Sequence, residues 1–299
     1  PKVADEFLPH AADEFAAHAV SRIVAGFVDC HRHIASTQSE SKSEPGQTAA
    51  FVSGDRCSRF NLPEAALCVS RYDLDKALAD EFTAAGGKLV CGKRVDLHGE
   101  GIVHATGRRA HAVENGWRWF GLKAHLMGVS LEADLEMHLV PHGYIGICRL
   151  PGDEINVCGL FRKRTGDAER VTLANSLGSR FNGAHWIEDS EVAVSGLCFC
   201  EPHTNGECHI GDAHAMIAPL TGNGMSMAFE SAQAAVNPLL AYASGESWAQ
   251  TVDRINTALA RFHSRLTWGK WLQRAAFHPW LLPLCSQPVL RKLLFAATR

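Results

Sequence analysis

Residues 206–234 carry the side chains best placed to do chemistry in this sequence. Gly211-Asp212 is followed, after a short gap, by Pro219-Leu220-Thr221-Gly222-Asn223-Gly224, then by Met225 and a run of small and apolar residues. An aspartate ending a strand leaves its carboxylate free to accept hydrogen bonds from ligand hydroxyls, and a ribityl or ribose chain is the polyol that suits it. Glycines at 222 and 224 let the backbone come close to a ligand. The free N–H groups of a helix opening at Met225, with its positive dipole end, favour a partial negative charge there. A second group, Cys198, Cys200, His203, Cys208 and His209, offers the thiolates and imidazoles that zinc accepts. Its spacing, C-x-C-x2-H-x4-C-H, is not a familiar zinc spacing, and several cysteines of this chain lie in apolar runs where Cys packs as a small hydrophobe. These residues therefore read as packing, and no metal is expected.

Positioning the turn requires a short apolar strand, 208–210, before it and a helix over 225–235 after it. Upstream, Asp73 can cap a helix through Phe82, Gly86-Gly87 ends it, and Lys88-Leu89-Val90-Cys91 reads as a following strand. Val103-His104-Ala105-Thr106-Gly107-Arg108 reads as an apolar strand and its end. Residues 117–162 alternate apolar and polar, with turns at 131–134, Pro141-His142-Gly143 and Pro151-Gly152-Asp153, the pattern of an antiparallel sheet. Residues 27–67 are richer in Ser, Thr, Gln and Gly. Short alternating pieces such as Ala49-Ala50-Phe51-Val52 predict strands there, with an exposed loop at 36–47. The first 25 residues space Phe15, Ala19 and Ile23 like one helix face, starting near Pro9. At the other end, 248–271 reads as one amphipathic helix. Pro279, Pro283 and Pro288 cut the following Leu- and Trp-bearing tail into short pieces, which suit packing on the body or resting on a membrane surface.

The run G-D-A-x-x-x-x-x-P-x-x-G-x-G, from Gly211 to Gly224, resembles the second flavin-binding motif of FAD-dependent oxidoreductases of the para-hydroxybenzoate hydroxylase and geranylgeranyl reductase group. The resemblance implies that Gly211 and Asp212 bind the ribityl chain. It implies that Pro219, Thr221, Gly222, Asn223, Gly224 and Met225 lie along the isoalloxazine edge. Residues 69–87 resemble the family segment S-R-x-x-L-D-x-x-L, whose Arg lies near the flavin; Arg71 is the matching residue, and a solvated arginine at a helix start is the alternative. Residues 2–11 resemble K-V-C-G-E-F-L-S-P-E-A, with Ala4 and Asp5 in place of Cys and Gly. Thr106-Gly107 stands where an A-D-G signature would carry its Asp. The meander resembles the family's substrate-domain strands, including G-x-K-A-H and P-x-G-Y-x-G, which makes Lys123 and His138 candidates for the substrate pocket. His125 and Tyr144 are candidates for proton transfer there, and each of the four could equally be an ordinary sheet-face residue.

By resemblance the fold is α/β: a glutathione-reductase-type FAD-binding domain (1–25, 69–110 and 205–245), interleaved with an antiparallel substrate sheet (26–68 and 111–204) and followed by C-terminal helices (246–299). The implied function is an FAD-dependent oxidoreductase, a monooxygenase or double-bond reductase acting on a small or lipid-like organic substrate, with NAD(P)H as electron donor. No G-x-G-x-x-G run occurs in the 299 residues. That run, with an acidic residue roughly 20 residues later, is the dinucleotide fingerprint. We therefore expect the first βαβ unit to precede Pro1 and the chain as given to hold FAD poorly. A non-catalytic ligand- or partner-binding remnant, and a metal- or membrane-surface-binding module, are the alternatives. A net charge of -3 with 46% hydrophobic residues argues for a globular core and against a nucleic-acid partner. Scattered cysteines read as reduced thiols in the cytoplasm, and no run is long enough to span a bilayer.

Overall fold

The computed structural model describes residues 46–275, apart from 55, 67–70, 94–96, 109–115, 165, 167–170, 198, 200–201 and 204–205. The helix expected in 1–25, most of the loop at 36–47 and the tail beyond 275 lie outside the described residues.

An eight-stranded sheet dominates the chain, in the order β2-β1-β5-β6-β7-β4-β8 with β9 also pairing β4. Its strands are β1 (Gly46–Ser53), β2 (Arg56–Ala66), β4 (Trp117–Met127), β5 (Leu135–Val140), β6 (Gly143–Arg149), β7 (Ile155–Arg164), β8 (His185–Trp186) and β9 (Val192–Ser195). The meander over 117–162 is present as read. β5 and β6 pair antiparallel across Pro141-His142, β6 and β7 across a turn at Pro151–Asp153, and β7 returns along β4. β1 breaks the pattern by lying parallel to β5, which periodicity cannot reveal because it reports faces and not partners.

Alternation gives the sheet two different faces. Ala124, Leu126, Ile145, Ile147, Ile155, Val157 and Phe161 fill one, under Leu173 and Phe181 from the helix α2 (Leu173–Leu177) and the turn after it. Trp119, Tyr144 and Leu160 lie on the other, packed with Leu197, Phe199, Met216 and Leu220. The first residue of β6 has little room. A Cβ on Gly143 would clash with the Leu160 carbonyl oxygen and with the Phe161 ring. Gly143→Ala is expected to cost about 1–3 kcal/mol, the range for overpacking, measured by urea unfolding.

A two-stranded parallel pair, β3 (Val103–His104) with β10 (Cys208–His209), forms the second sheet. Around it lie α1 (Arg71–Ala84), α3 (Gly224–Ala243), α4 (Trp248–Leu259) and α5 (His263–Ala275). α1 ends where expected: Gly86, at φ 90°, turns the chain while the Gly86 and Gly87 amides cap the Thr83 and Phe82 carbonyls. Four expectations change. α1 begins at Arg71, so Asp73 lies inside its first turn and is not its cap. Lys88–Cys91 form no strand; Leu89 and Val90 are 52% and 43% exposed, and no described strand pairs with them. α3 continues past residue 235 to Ala243, passing through a buried Pro238, because its inner face stays packed against α4. The single helix expected over 248–271 breaks into α4 and α5 at a tight turn, Ala260–Phe262. The buried stripe Val252, Ile255, Leu259, Phe262 and Leu266 runs through that break without losing helical spacing, so the sequence carries no sign of it. Among the described residues no helix is long and apolar enough to cross a membrane.

Candidate functional site

β10 runs directly into the Gly211-Asp212 turn, and the turn is fastened to α3. The Gly211 N–H donates to Ser231 Oγ at 2.7 Å, and Ser231 Oγ donates to the Ala228 carbonyl at 2.6 Å. Gly211, at φ 59°, also allows close approach: a Cβ there would meet Ala228 Cβ at 3.5 Å. Asp212 is half-buried in a shallow crevice that it shares with Gly211, Ala215, Met227, Ser231 and Leu266. Burial pushes its carboxyl above the ordinary aspartate value, and the Arg71 charge partly opposes this. Residues far apart in the chain are thus brought together: Arg71, at the start of α1, bonds Asp75 at 3.0 Å and its field reaches Asp212.

The second half of the motif is the turn that opens α3. Pro219–Thr221 form one tight turn, closed by Thr221 N–H to the Ala218 carbonyl and Gly222 N–H to the Pro219 carbonyl. Thr221 Oγ1 donates to the Ala218 carbonyl at 3.0 Å and accepts from Asn223 N–H at 3.4 Å. Gly222 then takes the left-handed conformation, φ 68°, which favours glycine. The first N–H groups of α3, at Gly224, Met225 and Ser226, have no carbonyl one turn earlier within the helix. This end faces open space: Met225 is 49% exposed, and a Cβ at Gly222 or Gly224 would meet nothing within 4 Å. The arrangement is a half-buried carboxylate beside an open, electropositive helix start. It fits a polyol joined to a ring that carries partial negative charge, as a flavin does.

α5 holds the turn against the large sheet. Gly269 lets the helix approach, since a Cβ there would lie 3.2 Å from Ile217 Cγ1 and 3.4 Å from Thr221 Cγ2. Buried Gln273 Oε1 accepts from Leu220 N–H at 3.3 Å and from the Tyr144 hydroxyl at 3.2 Å. Tyr144 is therefore a tie between β6, α5 and the turn, and burial pushes its phenol far above the ordinary tyrosine value, with the Gln273 bond opposing. Tyr144→Phe is expected to cost about 1 kcal/mol of stability, read from thermal unfolding. Gln273 had no signal in the sequence, where it is one polar residue in an amphipathic helix.

Pairing on the sheet separates the remaining candidates. Lys123 lies opposite Cys158 and His125 opposite Asn156, on the same face of the sheet as Tyr144 and Leu160. Lys123 is exposed. His125 Nδ1 contacts the Glu154 carboxylate, and its Nε2 is buried with no hydrogen-bond partner among the described residues. His138 lies on the opposite face, opposite Ile145, with its Nε2 donating to Glu136 at 2.6 Å. Glu136 is fully buried and also accepts from Arg180 Nη2 at 2.8 and 3.0 Å and from the Glu132 amide. Burial alone would raise this carboxyl; the bonds from His138, the Glu132 amide and Arg180, with the Arg180 charge, outweigh it and hold it at about 2.

Of the cysteine and histidine group near 200, Cys198 and Cys200 lie outside the described residues. Cys208 is buried in the core beside Ile217 and Ile255, and burial pushes its thiol up to about 11. His209 is held down at about 4 by burial and by neighbouring His203 and His104, against the pull of Glu207.

No family model and no curated protein matches the sequence. Solved structures do match in fold. The flavin-dependent brominase Bmp2 is 14% identical, with a TM-score of 0.66 over 89% of this chain and 80% of that one. FqzB is 15% identical, with a TM-score of 0.65 over 89% of this chain and 77% of that one. A geranylgeranyl bacteriochlorophyll reductase-like protein from Thermoplasma acidophilum is 17% identical, with a TM-score of 0.60 over 86% of this chain and 72% of that one. The chain has the mixed α/β fold that these proteins share.

Proposed function

We propose that this chain belongs to an FAD-dependent oxidoreductase that holds the ribityl chain of the flavin at Asp212 and its ring along the turn Pro219–Gly224. The observation that carries this reading is the pairing of a half-buried strand-end carboxylate with the open N-terminus of α3. Bound FAD would supply the electron chemistry, passing a hydride to a double bond or activating oxygen for hydroxylation, with NAD(P)H as the donor. The chain's own residues bind and orient. Asp212 accepts hydrogen bonds from the ribityl hydroxyls. The amides of Gly224 and Met225, at the positive end of α3, favour negative charge on the pyrimidine edge of the ring. The sheet face bearing Lys123 and His125 forms the wall toward a small or lipid-like organic substrate. Glu154 engages His125 Nδ1 and fixes the ring's orientation, and this carboxylate–imidazole pair is the proton-transfer group proposed for that face. Tyr144 acts on the same site by position, through Gln273 and Leu220.

Riboflavin, which has the ring and ribityl chain without the diphosphate, provides a direct test. Its fluorescence is expected to quench on binding this chain, and Asp212→Ala is expected to weaken that binding by about 10- to 100-fold, the value of a charge-assisted hydrogen bond or two. Unchanged riboflavin affinity in Asp212→Ala overturns the assignment of the carboxylate.

A further inference from the structure

The densest group of metal-ligating side chains among the described residues lies at the β3–β10 pair, on the strand that leads into the Gly211-Asp212 turn. In-register parallel pairing sets His104 beside His209, and their rings stack with centroids 4.8 Å apart, the spacing of adjacent strands. His98 reaches the same place from the turn before β3, where Gly99 and Gly101 both take positive φ and the Ile102 amide bonds the Gly99 carbonyl. Glu207, the residue before β10, completes the group. One carboxylate oxygen contacts His98 Nδ1; the other lies 3.5 Å from His209 Nε2 and 3.8 Å from His104 Nε2.

These separations are those of ligands around an ion. A tetrahedral zinc site with bonds of about 2.0–2.1 Å places its donor atoms about 3.3–3.4 Å apart. The donor atoms of His98, His104 and Glu207 all lie within 4.8 Å of one another. His104 Nε2 is buried and has no hydrogen-bond partner among the described residues, an arrangement that costs free energy until something fills it. At 3.8 Å it is too far from Glu207 for a hydrogen bond yet close enough for one ion to reach both. His98, with a side chain 57% exposed, opens the group to solvent and gives a path of entry.

We propose that His98, His104 and Glu207 bind one divalent transition-metal ion of the zinc type, with His209 beside them. Two imidazoles and one carboxylate favour such an ion over calcium and magnesium, which take oxygen ligands. Its place tells what it does: by joining His104 of β3 to Glu207 it clamps β3 to β10 immediately before the strand delivers Gly211 and Asp212. The site stands on its own geometry and does not depend on the flavin reading.

The experiment uses the full chain freed of metal by chelator and titrated with Zn2+ by calorimetry, with Co2+ as a spectroscopic probe. One equivalent of Zn2+ is expected to bind and raise the melting temperature. The Co2+ adduct is expected to show tetrahedral d–d bands without a thiolate charge-transfer band. His98→Ala alters an exposed residue and leaves the fold intact. It is expected to weaken Zn2+ by more than about 100-fold, beyond what loss of an outer-shell partner costs, and Glu207→Gln by a similar factor. His263→Ala, on an exposed residue at the start of α5, is expected to change nothing. Unaltered Zn2+ affinity in His98→Ala and Glu207→Gln, an equal loss in His263→Ala, or a thiolate charge-transfer band overturns the proposal.

Discussion

Glu136→Gln is expected to destabilise the protein by about 3 kcal/mol at neutral pH, the lower end of what breaking a buried ion pair costs. The carboxylate is fully buried and accepts from Arg180, His138 and the Glu132 amide, so an amide in its place leaves Arg180 without a counter-charge inside the sheet's packed face. The pH dependence follows from the same contacts. The carboxyl sits at about 2 in the folded protein against 4.5 ordinarily, so its contribution is fully present above 4.5 and is lost as pH falls through the folded value. The span corresponds to about 3 kcal/mol. Urea unfolding of wild type and variant at pH 7 and at pH 3 should show the gap between them shrinking in acid; an equal gap at both pH values contradicts the account. Pairing Glu136→Leu with Arg180→Leu should recover a large part of the loss, since replacing both charges leaves neither stranded.

Asp212→Asn is expected to do two opposite things: weaken flavin binding by about 10-fold or more and raise the melting temperature of the flavin-free protein. Burial lifts the Asp212 carboxyl above 3.8, with Arg71 opposing. A raised folded value means a contribution to stability that is present below 3.8 and lost as pH rises through the folded value, so at neutral pH the ionised group lowers stability. The amide removes that cost and gives up the charge that ribityl hydroxyls would bond. Thermal melts without flavin and fluorescence titration with riboflavin read the two effects separately. A lower melting temperature for the variant would show that the carboxylate serves packing and not a ligand. Arg71→Ala should shift both readouts in the sense of a costlier Asp212, because it removes the charge that offsets burial.

Much of the large sheet was legible because alternation is local. The apolar and polar faces of β4 to β7 could be read off the chain, and the turns at Pro141-His142 and Pro151–Asp153 interrupt the alternation where the structure turns. The α4–α5 break was not legible, since a tight turn at Ala260–Phe262 keeps the buried stripe in phase. The strand expected at Lys88–Cys91 failed for the complementary reason: apolar residues do not make a strand without a neighbour to pair with. His138 and His125 look alike in sequence, and only pairing register sets one against Glu136 and the other on the face of Tyr144 and Leu160.

The amino-acid sequence by itself determined the Gly211–Gly224 segment, its aspartate, its glycine turn and the helix that the turn opens, because each depends on neighbours a few residues away. Tertiary structure alone decided what surrounds it. The Arg71 charge acts on Asp212, Gln273 joins Tyr144 to the turn, and His98, His104, Glu207 and His209 converge across more than a hundred residues of chain. Such contacts come from strand register and helix packing, which depend on segments distant in the chain and so leave no periodic or spacing signal within any one of them.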